Sequence, residues 1–249
     1  MADLPAMPHA SAFARSAQTT TRPRLVRALL ACGVVAGPFY LGVGLAQALT
    51  RPGFDLTRHE LSQLAVGDWG WVQITNFYVS GLLVLAASMG MRQVLRTGRA
   101  HAWGPHLVAL YGLGLLGAGL FTADPGLGFP LGTPSDAVTI SSHGLLHLVF
   151  AAVGFCGLIA ASMVFGRRYL SFGQRAWAAY SIGTGMIFLA TFVSGVVLAG
   201  SSASHSLATL MLWIGVLLGW CWLSAISVRL LEPSAAVDSP AASASGFGD

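Results

Sequence analysis

His143 and His147 stand four residues apart, so on a helix their imidazoles lie one turn apart on one face. Two imidazoles at that spacing can share a metal ion, zinc above all, if further donors complete the sphere. Asp124, Asp136, His59 and Glu60 fall in neighbouring loops and could supply them. The candidate zinc set is His143, His147, Asp124 and His59. A bare HxxxH is a weak signature. The competing reading is interfacial histidine, bonded to loop backbone or to neighbouring helices. A second group is neutral: Gln73, Asn76 and Ser80 fall at i, i+3 and i+7, on one helix face. Polar side chains inside a bilayer turn toward the bundle. There they either bond to the next helix or line a polar pocket.

Other chemistry is absent from the pattern. No P-loop, GxSxG or HExxH occurs. Haem ligation needs facing histidines at one depth, and His106 falls at the opposite end from the others. Cys32, Cys156 and Cys221 each sit in an apolar run and read as small buried hydrophobes, with no CxxC pair.

Elements must position these groups, and composition says which. Of 249 residues 55% are hydrophobic and only 9% charged, where a soluble domain carries about 25% charged residues. The apolar excess must face lipid. Six runs have spanning length, about 20 residues each: Ala28–Leu49, Val72–Val94, Pro105–Phe121, His143–Phe165, Ala176–Gly200 and Ser206–Val228. All thirteen basic residues are Arg, which with so much Ala, Gly, Val and Leu points to a GC-rich, bacterial genome. Eleven of them (Arg15, Arg22, Arg24, Arg27, Arg92, Arg96, Arg99, Arg167, Arg168, Arg175 and Arg229) fall on one side of an even-numbered bundle. Only Arg51 and Arg58 fall on the other, among five carboxylates. Basic residues stay cytoplasmic, so both termini are expected inside, in the plasma membrane. The net charge of +4 is explained by this segregation rather than by nucleic acid.

The expected organisation is therefore an all-α, six-helix transmembrane domain over 25–229. Disordered cytoplasmic tails at 1–24 and 230–249 flank it, both poor in apolar residues. Two long external loops remain. In Thr50–Trp71, the stretch Leu56–Leu64 reads as a short interfacial helix beside the belt residues Trp69 and Trp71. Thr122–Ser142 holds three Pro, three Gly and no basic residue, a turn-rich loop that folds back over the bundle mouth. Gly33/Gly37 and Gly215/Gly219 are small-residue packing pairs, serving helix 1 on helix 6 within one chain or a homo-oligomer. Ala86–Met89 recurs as Ala160–Met163, Ala102-Trp103 as Ala176-Trp177, and Gly70 as Gly144, all at one offset. That pattern fits duplicated hairpins, helices 2–3 and 4–5, or chance in an Ala/Gly-rich chain.

The run HELSQLAVGDWGWVQITNF, then FTADPGLGFPLGTP, then SSHGLLH resembles the bacterial and archaeal membrane family known as domain of unknown function 998. The resemblance covers roughly residues 30–228. It implies a multi-pass architecture and no particular activity. By position it points to Ser62, Asn76, Asp124, Pro125, Gly144 and His147, in the same half as the polar groups above. HxxxH with Ser and Asp in a bundle is also similar to the ceramidase and progestin-receptor superfamily, but the seven-helix plan and spacings of that group are missing.

Three function classes follow. The leading one is a binding, transport or assembly protein with an outward-facing pocket built from Ser62, Gln73, Asn76, Ser80, Asp124, His143 and His147. Its partners would be the lipid bilayer and a lipid or small-molecule ligand. The alternatives are a metal-dependent hydrolase acting on a lipid, and a structural or regulatory subunit.

Overall fold

Hydrocarbon offers the backbone no hydrogen-bond partner, so apolar runs of spanning length satisfy their own N–H and C=O groups by coiling. The computed structural model of the chain describes residues 9–95, 98–136, 140–198 and 205–232, with side chains from Pro23 onward except that of Arg99. It consists of α1 (His9–Thr50), α2 (Gly70–Val94), α3 (Gly98–Leu120), α4 (Ser142–Ser171), α5 (Arg175–Leu198) and α6 (His205–Leu231). One 3-10 turn, Leu61–Ala65, lies between α1 and α2. All six helices hold a stretch long and apolar enough to cross a membrane, beginning at Pro23 in α1 and at Ala100 in α3. The protein is a multi-pass membrane protein.

The helices outrun the apolar segments mainly at the Arg-rich end. There α3 starts seven residues before Pro105, and α4 continues to Ser171. Helical hydrogen bonding needs no apolar side chains, so a helix continues past the hydrocarbon edge until a turn stops it. Gly173, at φ +71°, makes that turn between α4 and α5. Of the expected tails, 1–8 and 233–249 lie outside the described residues, while 9–24 are helical as part of α1 and 230–231 as part of α6.

Each helix packs on its sequence neighbours, and α1 also packs on α6, so the bundle closes on itself. Small residues set the distances. A Cβ on Gly33 would meet Ser227, and one on Gly37 would meet Ser224 and the Trp220 carbonyl, all on α6. Ser224 Oγ donates to Val34 O at 3.2 Å across this seam. Gly215 and Gly219 are covered by Phe188 of α5. All four glycines are buried within one chain, so they serve packing between its own helices, the first of the two roles expected of them. Gly114 and Gly154 bring the backbones of α3 and α4 into contact. At the centre Trp220 of α6 stacks on Tyr40 (4.9 Å) and meets Tyr111 edge-on (5.1 Å). Trp222 Nε1 donates to Ser181 Oγ at 3.0 Å.

The two recurring segments behave alike. Ser88 of α2 and Ser162 of α4, at matching positions of the two recurring segments, are both buried, and each donates to the carbonyl three residues back at 2.7 Å.

Candidate functional site

One end of the bundle carries both long loops, and they are docked on each other. Arg51 donates to the carbonyls of Leu64 (2.6 Å) and Val66 (2.7 Å) and lies over the Phe129 ring. Phe129 is buried against Phe54 and His59. The second loop thus folds back as its composition implies. The first departs from expectation. Its helical piece is a 3-10 turn at Leu61–Ala65, and Leu61, Leu64 and Ala65 are buried in the bundle end rather than laid in the membrane interface. The sequence Leu61-x-x-Leu64-Ala65 needs an apolar partner on one side, and the bundle supplies it at Gly44 of α1.

Between this end and the bundle centre lies a cavity of about 370 Å³, within the usual range for small-molecule sites. All six helices contribute to it. Phe77, Leu115, Phe155, Phe192 and Val216 make its walls apolar. Glu60, Ser62, His147 and His205 line it at the loop end, and Tyr40, Tyr111 and Trp213 are its other side chains with polar atoms. The first four also line a second, outer cavity of about 140 Å³, together with Asp124 and Gly144. Leu148 of α4 and Val196 of α5 belong to the inner lining and are also exposed on the outside of the bundle (50% and 64%). Trp213 of α6 is part of the wall, and its indole N–H has no partner among the described residues. A buried donor left unpaired costs about 1–3 kcal/mol.

The mouth has a defined hydrogen-bond character. His147 Nδ1 lies 3.1 Å from Ala118 O and 2.8 Å from Phe121 O. Carbonyls only accept, so Nδ1 carries the hydrogen, and in this tautomer Nε2 is the acceptor. His205 Nε2 donates to Arg58 O at 3.2 Å, which leaves Nδ1 as its acceptor. Glu60 is half-buried at the head of the 3-10 turn, its N–H donating to Gln63 Oε1 at 3.1 Å. Burial pushes its carboxyl above the usual carboxylate range, and the hydrogen bond from the Ser62 hydroxyl acts in the opposite direction.

The sequence-derived candidates separate. Ser62 and His147 are on the cavity lining, and Asp124 is on the outer one. His143, in the first turn of α4, is exposed and rests edge-on against Phe121. Gln73, Asn76 and Ser80 are buried between α1 and α2 and line neither cavity. Gln47 Nε2 donates to Gln73 Oε1 (2.9 Å), Asn76 Nδ2 to Tyr40 O (3.0 Å), and Ser80 Oγ to Asn76 Oδ1 (3.3 Å). They clamp α2 to α1, as the competing reading of that face had it.

The zinc set is corrected. Among the described residues no group of three or more His, Cys, Asp or Glu could hold a metal. The donors are engaged elsewhere. Asp124 accepts from Ser141 N (2.8 Å) and Ser141 Oγ (2.6 Å), and Ser141 in turn accepts from Gly144 N as the N-cap of α4. His59 accepts at Nδ1 from Asp55 N (2.9 Å) and donates from Nε2 to Leu127 O (3.1 Å). His147 covers the end carbonyls of α3.

His205 is a mouth residue that the pocket set lacked, as is Glu60, which the sequence offered only as a further metal donor. They lie 145 positions apart, and no spacing rule joins them. The signal available was weaker: each is a titratable residue beside a spanning run at the same end.

The family described as "Protein of unknown function (DUF998)" matches residues 34–229. No curated protein and no solved structure matches.

Proposed function

The chain belongs to the DUF998 family of proteins of unknown function, and from its own chemistry we propose that it binds an amphiphilic molecule of the membrane. The apolar part of the guest lies in the inner cavity and the polar part at the mouth. The reading places the protein among binding, transport or assembly proteins. The mouth faces outward, because the opposite end carries eleven of the thirteen Arg residues. The observation that carries the reading is the cavity itself: largely apolar walls, with Glu60, Ser62, His147 and His205 at the loop end. The exposed edge at Leu148 and Val196 supports entry from the lipid side.

The test is occupancy. Native mass spectrometry of the purified protein should show a retained lipid-like adduct, and an environment-sensitive apolar dye should bind and be displaced by membrane extract. Ala152→Trp fills the cavity from α4 and should abolish both while the protein still folds. Dye binding and adducts unchanged in Ala152→Trp would place the guest elsewhere and end the proposal.

A further inference from the structure

We infer that the mouth selects an amphiphile whose headgroup is a primary ammonium, held by Glu60, His147 and His205. This rests on the proposed reading of the cavity and adds the chemistry of the head.

The argument is one of charge and hydrogen-bond polarity. Glu60 and Asp124 are the charged side chains on the two cavity linings, and neither lining includes an Arg. The undescribed segments closest in the chain, 137–139 and 199–204, hold no basic residue in the sequence. Arg51 is turned to the Leu64 and Val66 carbonyls and the Phe129 face. Arg58, the other Arg of this end, lines neither cavity, so neither lining offers a fixed cation to a phosphate or carboxylate head. The donor positions of both histidines are spent on backbone carbonyls, His147 on Ala118 and Phe121 and His205 on Arg58. What these three mouth residues still offer is His147 Nε2, His205 Nδ1 and the Glu60 carboxylate, all acceptors. The Ser62 hydroxyl points its hydrogen at Glu60 Oε2, 3.5 Å away, and so offers lone pairs as well. A primary ammonium is three donors and a positive charge. It matches three acceptors and a carboxylate in a partly dry site, where charge-assisted hydrogen bonds are the strong ones. A carboxylate head would meet lone pairs and a like charge. An alcohol head would supply one donor and no charge.

The experiment uses the full chain in nanodiscs of a zwitterionic phospholipid, with the apolar dye of the preceding section as reporter. Dodecylamine, dodecanol and dodecanoate compete for the dye in the wild type and in Glu60→Gln. Comparing each ligand between the two proteins cancels its partitioning into the bilayer. The expected result is that Glu60→Gln weakens dodecylamine about tenfold, the size of one lost charge-assisted bond, and leaves dodecanol unchanged. Unaltered dodecanol binding also reports that the variant is folded. A Glu60→Gln that weakens dodecanol as much as dodecylamine, or that strengthens neither dodecanoate nor weakens dodecylamine, overturns the headgroup assignment and leaves the cavity reading standing. A wild type from which none of the three displaces the dye overturns the cavity reading itself.

Discussion

Gly144 sits against the Asp124 carboxylate so closely that a Cβ placed on it would overlap the carboxylate oxygens. The contact exists because Asp124 caps the capping residue: it holds Ser141, which holds Gly144 N. The two residues, twenty positions apart, set where α3 ends relative to where α4 starts. Gly144→Ala should cost about 1–3 kcal/mol by overpacking. Asp124→Asn loses one charged acceptor and should cost about 1–2 kcal/mol. Asp124→Ser opens the space, so combining it with Gly144→Ala should cost less than the sum of those two single variants, each measured alone beside the double. Thermal unfolding in detergent measures all of them. Strict additivity would mean that the two do not share one site.

The clamp between α1 and α2 should matter to stability and not to guest binding. Asn76→Leu and Gln73→Leu each remove a bond across the helices and should cost about 1 kcal/mol, the usual scale in membranes. Dye affinity should stay at the wild-type value, since neither residue lines the cavity. A loss of affinity without loss of stability would put these residues back in the site.

Acidity should act on two adjacent residues in opposite senses. Burial raises the Glu60 carboxyl above 4.5, so its contribution is present below pH 4.5 and lost as pH rises through the folded value. Burial lowers the His59 imidazole below 6.5, so its contribution is present above pH 6.5 and lost as pH falls through the folded value. Glu60→Gln should therefore raise the melting temperature at neutral pH and flatten its dependence above pH 4.5. A variant that melts lower at neutral pH, with the slope unchanged, would contradict the buried, neutral-favouring site described for Glu60.

How much of this was legible in advance divides along one physical line. Helices were legible because a bilayer imposes length and composition on every run that crosses it, and each of the six apolar runs falls within or almost wholly within a helix. The face shared by Gln73, Asn76 and Ser80 was legible from periodicity, but periodicity does not say what the face meets, and it meets α1. The Leu56–Leu64 stretch went wrong because interfacial and core-facing short helices have the same pattern. Glu60 and His205 were missed as a pair because only the fold brings them together.

Metal should have no effect on this protein. Chelator and added zinc should leave the melting temperature where it is, since no donor group of three assembles among the described residues. His147→Ala should still cost about 1–3 kcal/mol by leaving the end carbonyls of α3 uncovered. His143→Ala should cost little, being exposed at the first turn of α4. A zinc-dependent rise in melting temperature, lost in His143→Ala, would restore the metal reading.

Orientation is testable by fusion. Reporters after Gly132 should score external, and reporters at Arg168 and the C-terminus cytoplasmic, if the Arg segregation governs insertion. An external C-terminal reporter would invert the mouth and with it the side from which a guest is presented.

The contact between α1 and α6 has a consequence for how the chain is threaded. In a closed ring of helices every neighbouring pair is equivalent, and the break between first and last is a matter of where synthesis starts. The α1 and α6 ends that lie beside Pro23 and Leu231 belong to the same face of the membrane as the α2–α3 and α4–α5 turns. Joining the old ends by a flexible linker and opening the chain between α2 and α3 would give a circular permutant with every helix still oriented as before. Such a permutant should insert, pack and enclose the same cavity, because the wall depends on which helices touch and not on the order in which the ribosome releases them.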